Sequence, residues 1–313
     1  MRISVAVCTY NGEKYLAQQL ESILSQTVLP HEIIICDDNS RDNTKIILEK
    51  YEKYTQPKVK IKYNPKNLGS TRNFEQAIKM CSGDIIFLSD QDDVWVDNKV
   101  AIVMEAFQSH PHVYMTFSNA FVTDEYLQPL KLSLWDYVGC DYSKFSLESL
   151  FQVNRVTGAT MAFKKEALEY IFPIPDYFVH DDWLAFIMTA LYPVMPLNKK
   201  LIYYRQHGSQ QIGVNVKRSW IVKLRMQLLG IHVRHHKKRL TKLKAFQEMF
   251  QNRLRNISNA EAYMQLDQYI NYLEARINLP QKKYDRLIAI KKELPNYLYY
   301  ENLSTAVKDW LSS

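Results

Sequence analysis

The residues of this chain best placed to do chemistry are aspartates that follow or precede apolar runs. "EIIICDD" ends on Asp37 and Asp38, "DIIFLSDQDD" on Asp90, Asp92 and Asp93, and "HDDWLAF" opens with Asp181 and Asp182. An apolar run finished on paired carboxylates is either a solvated turn after a buried strand or a seat for something cationic. Bare carboxylates would repel a nucleotide diphosphate, so acids around such a ligand need a divalent ion between them. Mg2+ and Mn2+ prefer hard oxygen ligands and share their shell between carboxylate and phosphate. In a D-x-D after a buried strand, one acid can take the metal while the other accepts from a ribose hydroxyl. An isolated D-x-D is usually no more than an acidic loop. Here a buried strand leads in, other acid-bearing segments accumulate and Trp95 follows directly, which favours the ligand reading.

The elements that must position these acids alternate. "ISVAVC" (3–8), "EIIICDD" (32–38), "VKIKYN" (59–64) and "DIIFLSD" (84–90) read as strands. Between them, 13–26, 41–54 and 69–81 read as amphipathic helices, the first with Leu16, Leu20, Ile23 and Leu24 on one face. This order predicts a mostly parallel, helix-covered sheet whose ligands lie off the carboxyl ends of its strands. Further on, 96–110 predicts a helix, 113–122 a strand, and 123–150 an irregular segment suited to a lid or acceptor-facing loop. A strand turning into a helix is expected at 158–168, a helix at 180–192 and a final strand leaving the body at 199–209. From about 217 the pattern is helical, with a domain boundary near 215.

Several chemistries are excluded. There is no GxGxxG after the first strand, no GxxxxGK[ST] and no GxSxG, so dinucleotide oxidoreductases, P-loop phosphotransferases and serine hydrolases lack their defining glycines. The four cysteines, Cys8, Cys36, Cys81 and Cys140, show no CxxC or paired spacing, which points to a reduced, cytosolic compartment and against zinc. "MRISVAVCTYNG" has one basic residue and an apolar stretch too short for a signal core. No run of about 18 apolar residues predicts a membrane span.

The ordered segments "ISVAVCTYNGEKYLAQQLESILSQT", "EIIICDDNSRDNT", "NLGSTRNF" and "GDIIFLSDQDDVW" resemble the family 2 glycosyltransferases of the GT-A nucleotide-diphospho-sugar transferase fold, over roughly residues 1–210. "DQDDVW", with "HDDWLAF" and "YRQHGSQQIG", is most similar to bacterial rhamnosyltransferases of cell-surface polysaccharide synthesis. The resemblance implies an α/β, Rossmann-like catalytic domain over 1–215. It implies that Thr9, Tyr10 and Asn11 lie against base and ribose, that Asp38 accepts from the pyrimidine, and that Arg72 lies near base and phosphates. Asp90 would address the ribose and Asp92 the metal, Mn2+ or Mg2+. "HDD" stands where the family has its acidic catalytic motif, making Asp181 the expected base and Asp182 the fallback. His207 is a candidate metal ligand or phosphate contact, and Arg205, Trp95 and Trp183 are candidate diphosphate or sugar contacts. The implied partners are a nucleotide-diphospho-sugar donor, with dTDP-rhamnose first and UDP-hexoses as rivals, and a glycan or lipid-linked glycan acceptor. The processive Q-x-x-R-W motif is absent.

Each residue has a plainer reading. Asp181 could only cap its helix, His207 could face solvent, Tyr10 could pack at a strand end, Trp95 could be core, and Asp93 reads as structural, bonded to its own turn. A non-catalytic carbohydrate- or nucleotide-binding module is a rival reading of the whole domain, and a nucleotidyltransferase a weaker one.

The remaining region, 216–313, is basic and helical. Residues 217–256 hold twelve Lys or Arg and one acid, Glu248, a net +11 in a chain whose total is +7. Apolar faces are expected at Trp220, Ile221, Leu224, Leu228 and Ile231, at Leu240, Leu243, Phe246, Phe250 and Leu254, and at Tyr263, Leu266, Ile270, Leu273 and Ile277. "SNAE" (258–261) offers a capping box for the last of these, and Pro280 a stop. A nucleic-acid surface is disfavoured for want of any recognised motif. A solvated face and peripheral attachment to an anionic inner membrane leaflet both remain, as does dimerisation through these helices.

Overall fold

In the computed structural model, residues 1–139, 141–152, 154–208, 231–253, 260–279, 282, 284–285 and 288–290 are described. The chain divides into two compact units, Met1–Val214 and Asn215–Ser313.

In the first unit, β1 (Ile3–Thr9), α1 (Leu16–Leu24), β2 (Glu32–Asp37), α2 (Thr44–Tyr51), β3 (Lys58–Tyr63), α3 (Ser70–Met80) and β4 (Ile85–Ser89) follow in strict alternation. The strands run parallel in the order β3-β2-β1-β4. All residues of β1, β2 and β4 are buried, as expected of parallel strands covered on both faces. Val5, Val7, Ile33, Ile35 and Phe87 meet Leu16, Leu20 and Ile23 in one core, each such side chain contributing roughly 1.5–3 kcal/mol by leaving water. The chain winds outward from β1 through β2 to β3, then crosses back to set β4 on the other side. That reversal opens a crevice beyond the carboxyl ends of β1 and β4.

Beyond β4 the sheet becomes mixed. A two-residue strand β5 (Val94–Trp95), α4 (Lys99–Ser109), β6 (Met115–Thr123), β7 (Pro129–Ser133), α5 (Leu134–Val138), α6 (Leu147–Gln152), β8 (Met161–Lys164), α7 (Leu168–Ile171), α8 (His180–Leu191) and β9 (Val194–Arg205) complete the unit. β8 runs antiparallel between β4 and β6, β9 runs parallel to β6, and β5 pairs antiparallel with β9. Two expectations change here. Part of the segment expected to be irregular, 123–150, is regular: β7 pairs with β6, and a reciprocal Ser133–Asp136 capping box opens α5. Pro129 stands at the first position of β7, where the missing N–H costs no ladder bond. The strand expected to leave the body begins earlier, at Val194, and lies within the sheet between β6 and β5, because Ile202 and Tyr203 pair with the short β5 that follows the acidic loop.

In the second unit, α9 (Ile231–Arg253) and α10 (Ala260–Ile277) are helical. Leu243 and Phe246 of α9 and Leu266, Ile270 and Leu273 of α10 are buried, whereas Lys237, Lys238 and Lys244 are exposed. Gln247 bonds to Asp267, and Lys244 pairs with Glu274, across the two helices. Among the described residues, no helix is long and apolar enough to cross a membrane. Trp220, Ile221, Leu224, Leu228, Leu254, Ser258, Asn259, Pro280, Cys140 and the basic residues at 217, 218, 223, 225 and 255 lie outside the described residues.

Candidate functional site

The crevice beyond β1 and β4 is built first by backbone. Thr9, buried at the end of β1, donates its hydroxyl to Gln91 Oε1 at 2.6 Å. The same oxygen accepts from Tyr10 N at 2.8 Å, and Gln91 Nε2 donates to Tyr10 O at 3.1 Å. Gln91, the middle residue of the D-Q-D, is therefore a clamp that locks the first loop to the acidic one. A β-carbon at Gly12 would meet Gln91 Oε1 and lie 2.8 Å from Thr9 Oγ1, so only glycine leaves room for the clamp. Tyr10 is 44% exposed, free for stacking. Asn11 has a left-handed backbone (φ 49°), and its side chain accepts from Arg41 N at 2.9 Å.

Asp38 is buried and accepts from Leu68 N at 2.8 Å, Gly69 N at 2.9 Å and Asn64 Nδ2 at 3.0 Å. It fixes the loop ahead of α3. Arg72 turns away from the acidic loop: it pairs with Glu75 at 2.5 Å, with Asp176, and with the Ile174 carbonyl at 2.8 Å. Its visible work is to tie α3 to the segment that precedes α8.

The acidic loop is held from β9. Arg205 is buried; its N–H donates to Asp93 Oδ1 at 3.1 Å, its Nε to Asp92 O at 2.7 Å, and its terminal nitrogens to Glu125 O and Gln18 Oε1. The guanidinium also lies 4.4 Å from the centre of the Tyr15 ring. Expected as a candidate diphosphate contact, Arg205 instead braces the loop from beneath. Asp93 is structural, but its partner is the Arg205 backbone across the sheet and not its own turn. Asp92 and His207 come together, Oδ2 to Nε2, at 2.9 Å, with the imidazole against Tyr15 at 4.7 Å between ring centres.

Asp181 lies half-buried in the first turn of α8. Burial, then the neighbouring Asp182, push its carboxyl up to about 6, against the pull of the Asp182 and Gly158 backbone N–H groups. Asp90 rises further, to about 7, through burial, Asp92 and Asp181. The charge of Asp181, on α8, is thus felt at Asp90, at the end of β4. Asp182, the fallback, is only 4% exposed.

Trp95 and Trp183 do not line the crevice. Trp95 is buried against Phe87, and Trp183 is fully enclosed with its Nε1 donating to Ile171 O at 2.7 Å. Sequence reasoning passed over Gln91, Tyr15, Lys99 and His180. His180 is buried, stacks on Phe74 at 4.0 Å and has its pKa pushed down to about 3 by burial. A polar residue beside a glycine or an acid carries no periodic signal that it points inward; only the doubling of polar residues around "DQDD" and "HDD" hinted at it.

No group of three or more His, Cys, Asp or Glu among the described residues is arranged to hold an ion. The Asp92–His207 pair nevertheless suits one: Mg2+ and Mn2+ at phosphate sites take one or two protein ligands and complete their shell from phosphate and water. The pair offers one carboxylate oxygen and one ring nitrogen within 2.9 Å of each other.

Residues 4–172 match the model of glycosyl transferase family 2. A dTDP-rhamnosyl transferase, RfbG of Shigella flexneri, is 27% identical over 252 residues, 76% of this chain and 83% of that protein. An uncharacterized glycosyltransferase, alr2836 of Nostoc sp., is 28% identical over 220 residues, 67% of this chain and 66% of its own length. Among solved structures, residues 1–349 of S. aureus TarS in complex with UDP-GlcNAc superpose with a TM-score of 0.56 at 18% identity, covering 95% of this chain and 89% of that one. The likeness to TarS is one of fold.

Proposed function

The chain belongs to glycosyl transferase family 2, and from that membership we propose that it is an inverting, divalent-metal-dependent sugar transferase of bacterial surface polysaccharide synthesis, moving rhamnose from dTDP-rhamnose to a hydroxyl of a glycan or lipid-linked glycan. The observation that carries the chemistry is Asp181, a carboxylate in the first turn of α8 whose pKa is raised to about 6 and whose charge helps to raise Asp90. A base with a pKa near the working pH is ionised often enough to accept a proton and basic enough to do so. Asp181 takes the proton of the acceptor hydroxyl. The hydroxyl oxygen bonds to the anomeric carbon as the bond from that carbon to the diphosphate breaks on the opposite face, and the diphosphate leaves with the electron pair. One such displacement inverts the anomeric centre.

Thr9, Tyr10 and Asn11 take the base and ribose, with Asp38 and Arg72 shaping the loops around the base and Asp90 accepting from the ribose. Asp92 and His207 would hold the ion, which when bound neutralises charge on the departing diphosphate. The rhamnosyl donor draws on the likeness to RfbG; a UDP-hexose, the donor named for another relative at 26% identity, is the competing donor. The basic second unit, with Lys237, Lys238 and Lys244 exposed, suits peripheral attachment to an anionic inner leaflet from the cytoplasmic side. Flotation with anionic vesicles at physiological salt tests that attachment, and no recovery with the vesicles overturns it; a dimer by light scattering is the rival outcome.

A panel of nucleotide sugars scored for metal-dependent donor hydrolysis tests the enzyme itself. Hydrolysis of dTDP-rhamnose, lost on chelation and restored by Mn2+ or Mg2+, is expected. Signal only with a UDP-hexose overturns the rhamnosyl assignment, and no hydrolysis of any donor favours a binding module.

A further inference from the structure

A fully enclosed lysine lies beneath the acidic loop, unused by the chemistry above. Lys99 is the first residue of α4, yet no part of it reaches solvent. Its Nζ donates to the Ala159 carbonyl at 2.8 Å and lies 3.8 Å from the centre of the Trp95 ring. Burial lowers its pKa to about 7, and the nearby Asp93 and Asp90 carboxyls oppose that fall. Withdrawing an ammonium from water costs several kcal/mol, and a hydrophobic residue of similar volume fills a core at lower cost. The charge therefore calls for a role beyond filling space.

That role is visible at the other end of its hydrogen bond. Ala159 belongs to the tight turn Gly158–Thr160, closed by Thr160 N and Oγ1 on the Thr157 carbonyl at 3.0 and 2.7 Å. The Gly158 N–H in the same turn helps to hold the Asp181 pKa down against burial. The turn presses directly on α8: a β-carbon at Gly158 would lie 2.9 Å from His180 Nε2 and 3.3 Å from Asp181 Cβ. Lys99 thus grips a carbonyl one residue from the glycine that packs on Asp181, while its Nζ faces the loop bearing Asp90 and Asp93.

We propose that Lys99 is a positioning residue for sugar transfer: its buried ammonium ties the acidic loop after β4 to the Gly158–Thr160 turn, and so sets where the Asp181 carboxylate stands relative to the donor. The proposal rests on Asp181 being the base, and its two arms separate that premise from the link itself.

Lys99→Met keeps the length of the side chain and removes its charge and its N–H donors. In the protein without donor, hydrogen exchange at the Gly158 and Thr160 amides rises about tenfold or more, while amides of β1 and β4 keep their wild-type rates. With whichever donor the wild type hydrolyses, kcat falls about tenfold or more and the donor KM moves less than about threefold. In an Asp181→Asn background the same substitution changes kcat by less than about twofold, because the residue it acts through is already lost. Unchanged exchange at Gly158 and Thr160 overturns the link, whether or not any donor is turned over. Raised exchange with wild-type kcat, or equal losses in both backgrounds, overturns the positioning role. Lys99→Gln, which keeps a neutral donor, carries the same readouts if the Met variant does not fold. A wild type that hydrolyses no donor defeats the proposed function, and the exchange arm still decides the link.

Discussion

Two ends of the same parallel sheet bury carboxylates, and they treat them in opposite ways. At the amino end, Glu32 of β2 accepts from Ser82 N at 2.6 Å, from the hydroxyls of Ser4 and Ser82, and from Lys60 at 3.0 Å. Burial alone would raise its pKa; the Ser82 N–H, then Ser4, Lys60 and the Ser82 hydroxyl, outweigh it and hold the carboxyl down at about 2. At the carboxyl end, Asp90 and Asp181 are half-buried, but their nearest charges include other carboxylates, and they rise to about 7 and 6. A fully bonded acid is a strut, with nothing left to exchange. An acid short of partners stores unfavourable free energy that a substrate proton or a cation can relieve.

The largest expected effect breaks the comparison at its reactive end. Asp181→Asn lowers kcat by roughly 10²–10⁴-fold, the usual worth of a positioned base, with the thermal unfolding midpoint close to wild type. Glu32→Gln reverses the pattern. Turnover stays at the wild-type level, while stability at pH 7 falls by about 2–3 kcal/mol by linkage, measurable by urea unfolding. The depressed folded pKa means this stabilisation is present above the unfolded value of 4.5 and is lost as pH falls towards 2. The gap between wild type and Glu32→Gln should therefore close between those limits. A gap that persists at the acid end defeats the strut reading.

A smaller effect sharpens the reactive end. The base must be ionised, so with a pKa of about 6 for Asp181 turnover falls as pH drops below that value, by about tenfold one unit lower. The adjacent charge of Asp182 helps to raise Asp181, so Asp182→Asn should shift this limb to lower pH and leave the plateau standing. Loss of the plateau in Asp182→Asn, with turnover retained in Asp181→Asn, would transfer the role of base to Asp182.

How far these regions were legible in the sequence follows the same divide. The parallel half could be read because β1, β2 and β4 are buried on both faces and appear as unbroken apolar runs, with Leu16, Leu20 and Ile23 at helical spacing between the first two. The acids at the strand ends stand out against that background, and topology gathers them. The mixed half was harder. β7 is five residues long with exposed Pro129, Lys131 and Leu132, so it carries little periodic signal, and its place is decided by pairing with β6. Inward-facing polar residues were the least legible. Lys99 carries no pattern that sets it inside, and Arg205 is expected at the diphosphate; their burial depends on partners about 60 to 110 positions away.

Gln91 gives the finest test, because it joins the two kinds of region in one side chain. It lies between Asp90 and Asp92, yet it behaves as Glu32 does: its amide is spent on Thr9 Oγ1, Tyr10 N and Tyr10 O. Gln91→Ala removes these bonds without removing an acid. Each hydrogen bond is worth about 0.5–1.5 kcal/mol net, and the loss falls on the loop expected to take the base and ribose. The donor KM should therefore rise about five- to tenfold, while kcat, set by Asp181 on a different element, stays within about twofold. An equal fall in kcat at unchanged KM would show that the clamp acts on the transition state, and that strut and reactive acid are not separable at this end of the sheet.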